Sequence, residues 1–146
     1  MANKLELTWY GKDDPIRVEP RLLIENAALS NIAIDPDTEN MLIHGDNLLA
    51  LKALEKKFAG QVKCIYIDPP FNTGQAFENY DDNMEMSIWL SLMRSRLQIL
   101  HTLLKDEGTL FVHIDDGNLP YITILLDEIF GRQNRLYLIT SSRIVM

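Results

Sequence analysis

Paired glycines are the first thing this chain lacks. Its seven glycines are Gly11, Gly45, Gly60, Gly74, Gly108, Gly117 and Gly131, and no two are separated by a single residue. No G-x-G turn and no phosphate-cradling P-loop can therefore be built. Cysteine is nearly absent. Cys64 stands alone, which excludes an internal disulfide, and three scattered histidines beside it make no zinc-ligand pattern. A cytoplasmic protein without a metal is the expectation. No apolar run approaches the roughly 18 residues that cross a bilayer, so no membrane partner is expected. Lys4, Glu6, Lys12 and Asp13 interrupt any leader-like stretch at the start. Basic residues are in deficit: Lys and Arg number 14 against 21 Asp and Glu, for a net charge of -7. That balance argues against a free-standing nucleic-acid binder, though not against a catalytic half whose basic half lies elsewhere.

What is present is an ordinary globular composition, 47% hydrophobic and 24% charged over 146 residues, enough for one core. The first 40 residues are the least regular. "EPRLLIENAALS" reads as a short helix with Leu22, Leu23 and Leu29 on one face, and Ala33–Asn40 as a turn-rich linker. From residue 41 the texture changes. "NMLIHGD" reads as a short strand, followed by a helix with Leu48, Leu51, Leu54 and Phe58 in phase, capped by Asp46 or Asn47. "KCIYID" is a continuous apolar run of the kind buried on both faces of a parallel sheet.

Further on, "SIWLSLMRSRLQILHTLLKD" is the longest helix. Leu90, Met93, Leu97, Leu100 and Leu104 form its stripe; Ile88, Leu92, Ile99 and Leu103 widen it, and Gly108 would end it. "TLFVHID" predicts another strand. "LPYITILLDEIF" predicts a helix with Pro120 in its first turn and Gly131 just past its end. "RLYLITSS" is a candidate fourth strand. Strands alternating with helices give an α/β class with mostly parallel strands and helices on both faces of the sheet. Ligands in such sheets sit beyond the carboxyl ends of the strands, where Asp46, Asp68 and Asp115 should gather.

The chemistry concentrates in "YIDPPFNTG". Pro69 and Pro70 fix φ, remove two backbone donors and stiffen the loop. A carboxylate beside a bare carbonyl is a fixed pair of acceptors, suited to an –NH2 group. The aromatic Phe71 next to it can stack on a flat heterocycle, such as a base flipped out of its duplex. Taken alone, Asp-Pro-Pro-aromatic also fits a strand-terminating turn with Phe71 in the core.

With its Asn72-Thr73-Gly74 tail, the stretch resembles motif IV of the DNA amino-methyltransferases, enzymes that methylate adenine N6 or cytosine N4. "LIHGDNLLALKAL" is similar to motif III of that family and "GTLFVHIDD" to motif VI. "LELTWYGKDD", "EPRLL" and "LDEIFGRQN" resemble segments of modification subunits from type III restriction-modification systems. The match runs from about residue 4 to about residue 140. Catalytic motifs without preceding cofactor glycines fit the permuted class, and the Asp form of motif IV tilts toward adenine N6.

The resemblance implies a partial, truncated Rossmann-like methyltransferase sheet. Residues 1–40 would be an N-terminal extension, and residues 41–146 the first half of the catalytic domain. The target-recognition region and the F-x-G-x-G motif would be absent, leaving the chain inactive or nearly so alone. It implies S-adenosyl-L-methionine as cofactor, with Asp46 and Asp68 at its site. Asp68, Pro69, Pro70 and Phe71 would be catalytic: Phe71 stacks on the base, while the Asp68 carboxylate and Pro69 carbonyl accept the amine hydrogens. The implied partners are double-stranded DNA, a restriction subunit, and a second copy of the chain through the 88–104 helix, in a bacterial cytoplasm.

Residue by residue, simpler roles stay open. Asp46 also fits a helix cap, Asp115 and Asp116 favour capping the following helix, His113 reads as packed within its strand, and Trp89 reads as structural. A methyltransferase remnant serving as an interaction module through the Leu90–Leu104 face is the alternative from another class. A nucleotide-handling enzyme of another type is disfavoured by the missing phosphate-binding glycines.

Overall fold

The computed structural model describes residues 6–15, 17–19, 21–72 and 85–140. Thr73 and Gly74 of the motif tail, and the terminal "SSRIVM", lie outside them. The regular elements are α1 (Asn47–Phe58), β1 (Val62–Ile67), α2 (Met86–Leu103), β2 (Leu104–Val112) and α3 (Leu119–Leu126). A π-helical turn over Asp127–Gly131 and a 3-10 turn over Arg132–Asn134 follow. β1 and β2 pair in parallel, joined through α2, so the α/β class and its parallel sheet are as expected.

α1 begins where a side chain can replace a missing backbone acceptor. The Asp46 carboxylate accepts from the Leu48 and Leu49 amides at 2.9 and 3.1 Å. Lys56 and Lys57 occupy the last turn, where positive charge suits the helix dipole. Gly60, at φ 66°, then turns the chain, and the Gly60 and Gln61 amides bond the Thr102 and Leu103 carbonyls. The end of α1 is thereby tied to the end of α2.

α2 is the centre of the core. Trp89, Leu90, Met93, Leu97, Leu100 and Leu103 are buried, and Ile122 and Leu125 of α3 complete the cluster. The broad apolar face is therefore internal, which corrects the expectation of a homodimer through the 88–104 helix: the residues that would form it pack inside the same chain. Ile88, 54% exposed, falls off the stripe. Gly108 does not end α2. The helix stops at Leu104, whose ψ of 134° is extended, and β2 begins there. Gly108 sits where the register slips between Val62↔Leu104 and Cys64↔Thr109. A Cβ there would lie 2.8 Å from Leu104 side-chain atoms, so the irregular strand needs a glycine.

β1 is not covered on both faces. Ile65, Ile67, Leu110 and Val112 pack on the core, while Cys64, Tyr66 and Phe111 are exposed on the other side. Three predicted elements are absent among the described residues. Residues 21–30 hold a turn in place of a helix, because Asn26 draws the Ala28 amide to its side chain and the Leu29 amide to its carbonyl. Residues 40–46 and 135–140 form no strand, and Leu42 and Tyr137 are fully or nearly fully exposed. A strand needs a ladder partner, and neither edge of the two-stranded sheet lies against these segments. No helix among the described residues is long and apolar enough to cross a membrane.

Residues 6–14 strap the outside of α2. The Trp9 indole donates to Ser91 Oγ at 2.8 Å, Arg94 to the Lys12 carbonyl at 2.9 Å, and the Leu7 amide to Glu128 at 2.7 Å. Lys12, only 7% exposed, reaches Glu6 at 2.7 Å and Glu128 at 2.9 Å. Burial pushes the Lys12 ammonium pKa down, but hydrogen bonds to Glu6 and Glu128 and their charges raise it more, leaving it above the ordinary 10.5. The folded value is the higher one. The cluster's stabilisation is thus complete below about pH 10.5 and is lost as pH climbs through the folded value.

Two outcomes follow. Lys12→Met should remove this alkaline step from the urea midpoint measured against pH; a step unchanged in the variant would assign it to other groups. Leu97→Ala, emptying a site with 0% exposure, should cost about 2–5 kcal/mol in chemical denaturation.

Candidate active site

The Asp68–Phe71 loop leaves the carboxyl end of β1, where parallel sheets place their ligands. The two prolines supply no amide donor, so the loop's carbonyls must find partners in other elements. Two do. The Trp89 indole of α2 donates to the Pro70 carbonyl at 2.8 Å. The Asn118 side-chain amide, just before α3, donates to the Phe71 carbonyl. Asn118 is itself 5% exposed and held by Asp115, whose Oδ1 accepts from the Asn118 backbone amide at 3.3 Å and from its side chain at 3.2 Å. Asn72 turns the chain away at φ 52°, a left-handed conformation that asparagine tolerates.

The bare carbonyl expected beside the carboxylate is accompanied by carbonyls that are not bare. Pro70 and Phe71 are tethered; among the described residues the Pro69 carbonyl carries no hydrogen bond. What remains at the mouth is that carbonyl and the Asp68 carboxylate, 59% exposed. His113 reaches the carboxylate. Its ring nitrogen Nδ1 lies 3.1 Å from Asp68 Oδ1, and its ring meets Phe71 edge-on at 5.2 Å between centroids. It is not packed within a strand as expected: β2 ends at Val112, and His113 is 57% exposed.

Asp68, Pro69, Pro70 and Phe71 line a groove of about 660 Å³ that runs under α1 and α2. Leu51, Leu92, Met93 and Leu100 form its apolar wall, with Asn47 and Arg96 at its polar side. Arg96 Nε donates to Asn47 Oδ1 at 2.7 Å, bridging α2 to α1. Asp46, next to Asn47, has Oδ1 engaged as the α1 cap. The capping role is thus observed for Asp46. Asp115 supports the approach to α3 through Asn118, close to the capping role expected of it. His44 is exposed one turn upstream and reaches none of these groups in the described contacts.

A profile of the DNA methylase family matches residues 62–141, a span that includes this loop, α2, β2 and α3. The chain belongs to the DNA methylase family. It is 50% identical over 102 residues to the probable type III restriction-modification enzyme HindVI Mod subunit of Haemophilus influenzae, covering 70% of this chain and 14% of that protein. It is 30% identical over 164 residues to the EcoP15I Mod subunit of Escherichia coli, covering 89% and 26%. The type II methyltransferase M.EcaI of Enterobacter cloacae is 41% identical over 107 residues, covering 69% and 24%. The chain thus spans about a quarter or less of the length of these relatives. The resemblance to Mod subunits read from the motifs is therefore what the comparisons show.

Three residues that shape the site were missed or misjudged from sequence: Arg96, His113 and Asn118; Trp89 is structural, as expected, but its bond to the loop was not legible. A signal existed for His113. If β1 and β2 pair in parallel with Ile67 opposite Val112, the next residues, Asp68 and His113, are neighbours. Trp89 and Asn118 gave no such signal, because a long-range donor to a loop carbonyl has no sequence period. Trp89→Phe should keep the ring in the core and leave the Pro70 carbonyl without its donor, costing about 1–3 kcal/mol in urea unfolding. A stability equal to the parent protein's would mean that the bond contributes nothing net.

Proposed function

We propose that this chain carries the catalytic motifs of a site-specific DNA adenine-N6 methyltransferase of the type III modification-subunit kind, with S-adenosyl-L-methionine as methyl donor. Residues 41–146 hold these motifs and residues 1–40 are an N-terminal extension. The observation that carries the proposal is the selective tethering of the loop: Trp89 and Asn118 occupy the Pro70 and Phe71 carbonyls, leaving untethered the Pro69 carbonyl, which directly follows Asp68 in the chain. Two fixed acceptors match the two hydrogens of an exocyclic amine. Phe71 provides a flat face for the flipped base.

In this reading Asp68 and Pro69 hold the amine by both hydrogens, which draws its nitrogen away from planarity and aims the lone pair at the groove. Pro70 keeps the loop rigid. Positioning and fixed dipoles are the terms that matter, and no covalent enzyme intermediate is needed. The residues present fit the cofactor. The groove is apolar enough for a purine and wide enough for a nucleoside, and Asn47, the neighbour of Asp46, lines it, while the α1 cap engages one oxygen of Asp46. Asp46 would take the cofactor's adenine amine and Asp68 would border its reactive end. The cofactor supplies an electrophilic sulfonium methyl. Duplex DNA is the proposed substrate and a restriction subunit the proposed partner. A net charge of -7 assigns this region to chemistry and not to the grip on the phosphate backbone.

Calorimetric titration with S-adenosyl-L-methionine, beside an Asp46→Ala control, tests the assignment. Saturable binding lost in the control supports a preformed half-site at α1. Binding that survives the substitution takes Asp46 out of the cofactor site. No binding at millimolar cofactor would sink the claim that these residues hold it.

A further inference from the structure

We propose that His113 is a positioning residue for Asp68: it holds one carboxylate oxygen so that the other faces the substrate amine. The inference rests on the amine-acceptor reading of Asp68 given above. It starts from the ladder. Beyond the last β1–β2 pair, Ile67↔Val112, one more backbone bond forms, from the His113 amide to the Ile67 carbonyl at 2.9 Å. That bond fixes the His113 backbone beside Asp68. The ring is then set by two contacts: Nδ1 to Asp68 Oδ1 at 3.1 Å, and the edge-on approach to Phe71 at 5.2 Å and 89°.

A carboxylate can only accept, so Nδ1 carries the proton and donates. Asp68 Oδ1 is thereby occupied. Oδ2 of the same carboxylate has no protein partner among the described residues, one residue before the untethered Pro69 carbonyl. An exposed carboxylate on a single-bonded stem otherwise rotates and presents either oxygen. With His113 in place, one oxygen is assigned to the protein and one to the ligand. Both side chains are more than half exposed, so the pair adds little to stability. Its geometry, locked by a backbone bond on one side and an aromatic ring on the other, makes sense as orientation. The same ring restrains Phe71, so one residue aligns both the acceptor and the stacking face.

Nitrogen-15 NMR of the full 146-residue chain at mildly alkaline pH reads the tautomer directly. The expected result is His113 held as the Nδ1–H form, reverting in Asp68→Ala to the Nε2–H form common in unconstrained histidine side chains. An Nε2–H ring in the parent protein, or a ring unchanged by Asp68→Ala, overturns the proposal. The consequence is read with adenosine against purine riboside, which lacks the 6-amino group, by their shifts of the Asp68 and Phe71 resonances. Adenosine should be preferred by the parent chain. The preference should be lost in His113→Leu and restored in His113→Asn, whose side-chain amide stands near the place of Nδ1. A preference that persists in His113→Leu overturns the positioning role. No preference in the parent chain counts against the amine-acceptor reading instead, and the tautomer result then decides the His113–Asp68 pairing by itself.

Discussion

A backbone carbonyl taken out of water needs a donor, and in a loop with two prolines the nearest donors are missing. The Trp89 indole meets that need at Pro70, and the rest of the site depends on it. Trp89 is fully buried near the N-terminal end of α2, so the loop is bonded directly to a residue of the core. Asn118 repeats the arrangement from the other side, with Asp115 holding Asn118 in turn. A rigid Pro-Pro segment fixes only its own torsions. Its direction relative to the groove comes from these two donors, one on each helix that flanks it. The strap of residues 6–14 bears on the same helix through Trp9 and Ser91, two residues beyond Trp89, and so reaches the loop through α2.

The parts of this arrangement visible in the sequence were those with a local signature. β1, α2, β2 and α3 follow from runs and periods, Asp46 from the preference of aspartate for the position before a helix, and the Asp68–Phe71 corner from the unusual pairing of two prolines with an acidic and an aromatic residue. The elements that failed are those whose structure depends on a neighbour. "NMLIHGD" and "RLYLIT" have the composition of strands, but an isolated strand leaves its amides and carbonyls unpaired. "RLLIENAALS" has helical spacing, but Leu22 at 88% and Leu29 at 84% exposure bury no face, and Asn26 then wins the local competition for backbone amides. Gly108 was misread because a glycine after a helical run has two uses, ending a helix or admitting close backbone contact, and only the Leu104 packing tells them apart.

The same dependence explains the exposed apolar residues. Leu22, Ile24, Ile34, Leu42 and the Leu136–Ile139 run lie on segments without regular structure, while Cys64, Tyr66 and Phe111 mark the open face of the sheet. Exposure and irregularity have one cause: nothing among the described residues lies against these surfaces. Apolar patches of this extent are features of protein contact sites. The α2 face stands in contrast. It is the longest apolar face read from the sequence, yet it is satisfied within the chain by α1, α3 and the sheet. Apolarity read from sequence identifies what must be covered; only the fold shows which coverings are already in place.

Exposure also bears on the chemistry. Asp68 at 59% and His113 at 57% exposure sit in a medium where a hydrogen bond to a carboxylate is weak, because water competes for the same lone pairs. Strong holding of an amine therefore requires water to be displaced from the corner when the ligand arrives. In the proposed function a planar base seated against Phe71 would do this itself, covering the Pro69 carbonyl and an Asp68 oxygen that have no alternative partner among the described residues to release first. Acceptors already fixed in direction lose little freedom at that step, whereas a loop with free carbonyls would have to choose among several pairings. In the proposed function, tethering Pro70 and Phe71 leaves a selected set of acceptors, and a preference for an –NH2 group follows from which carbonyls the core has already occupied.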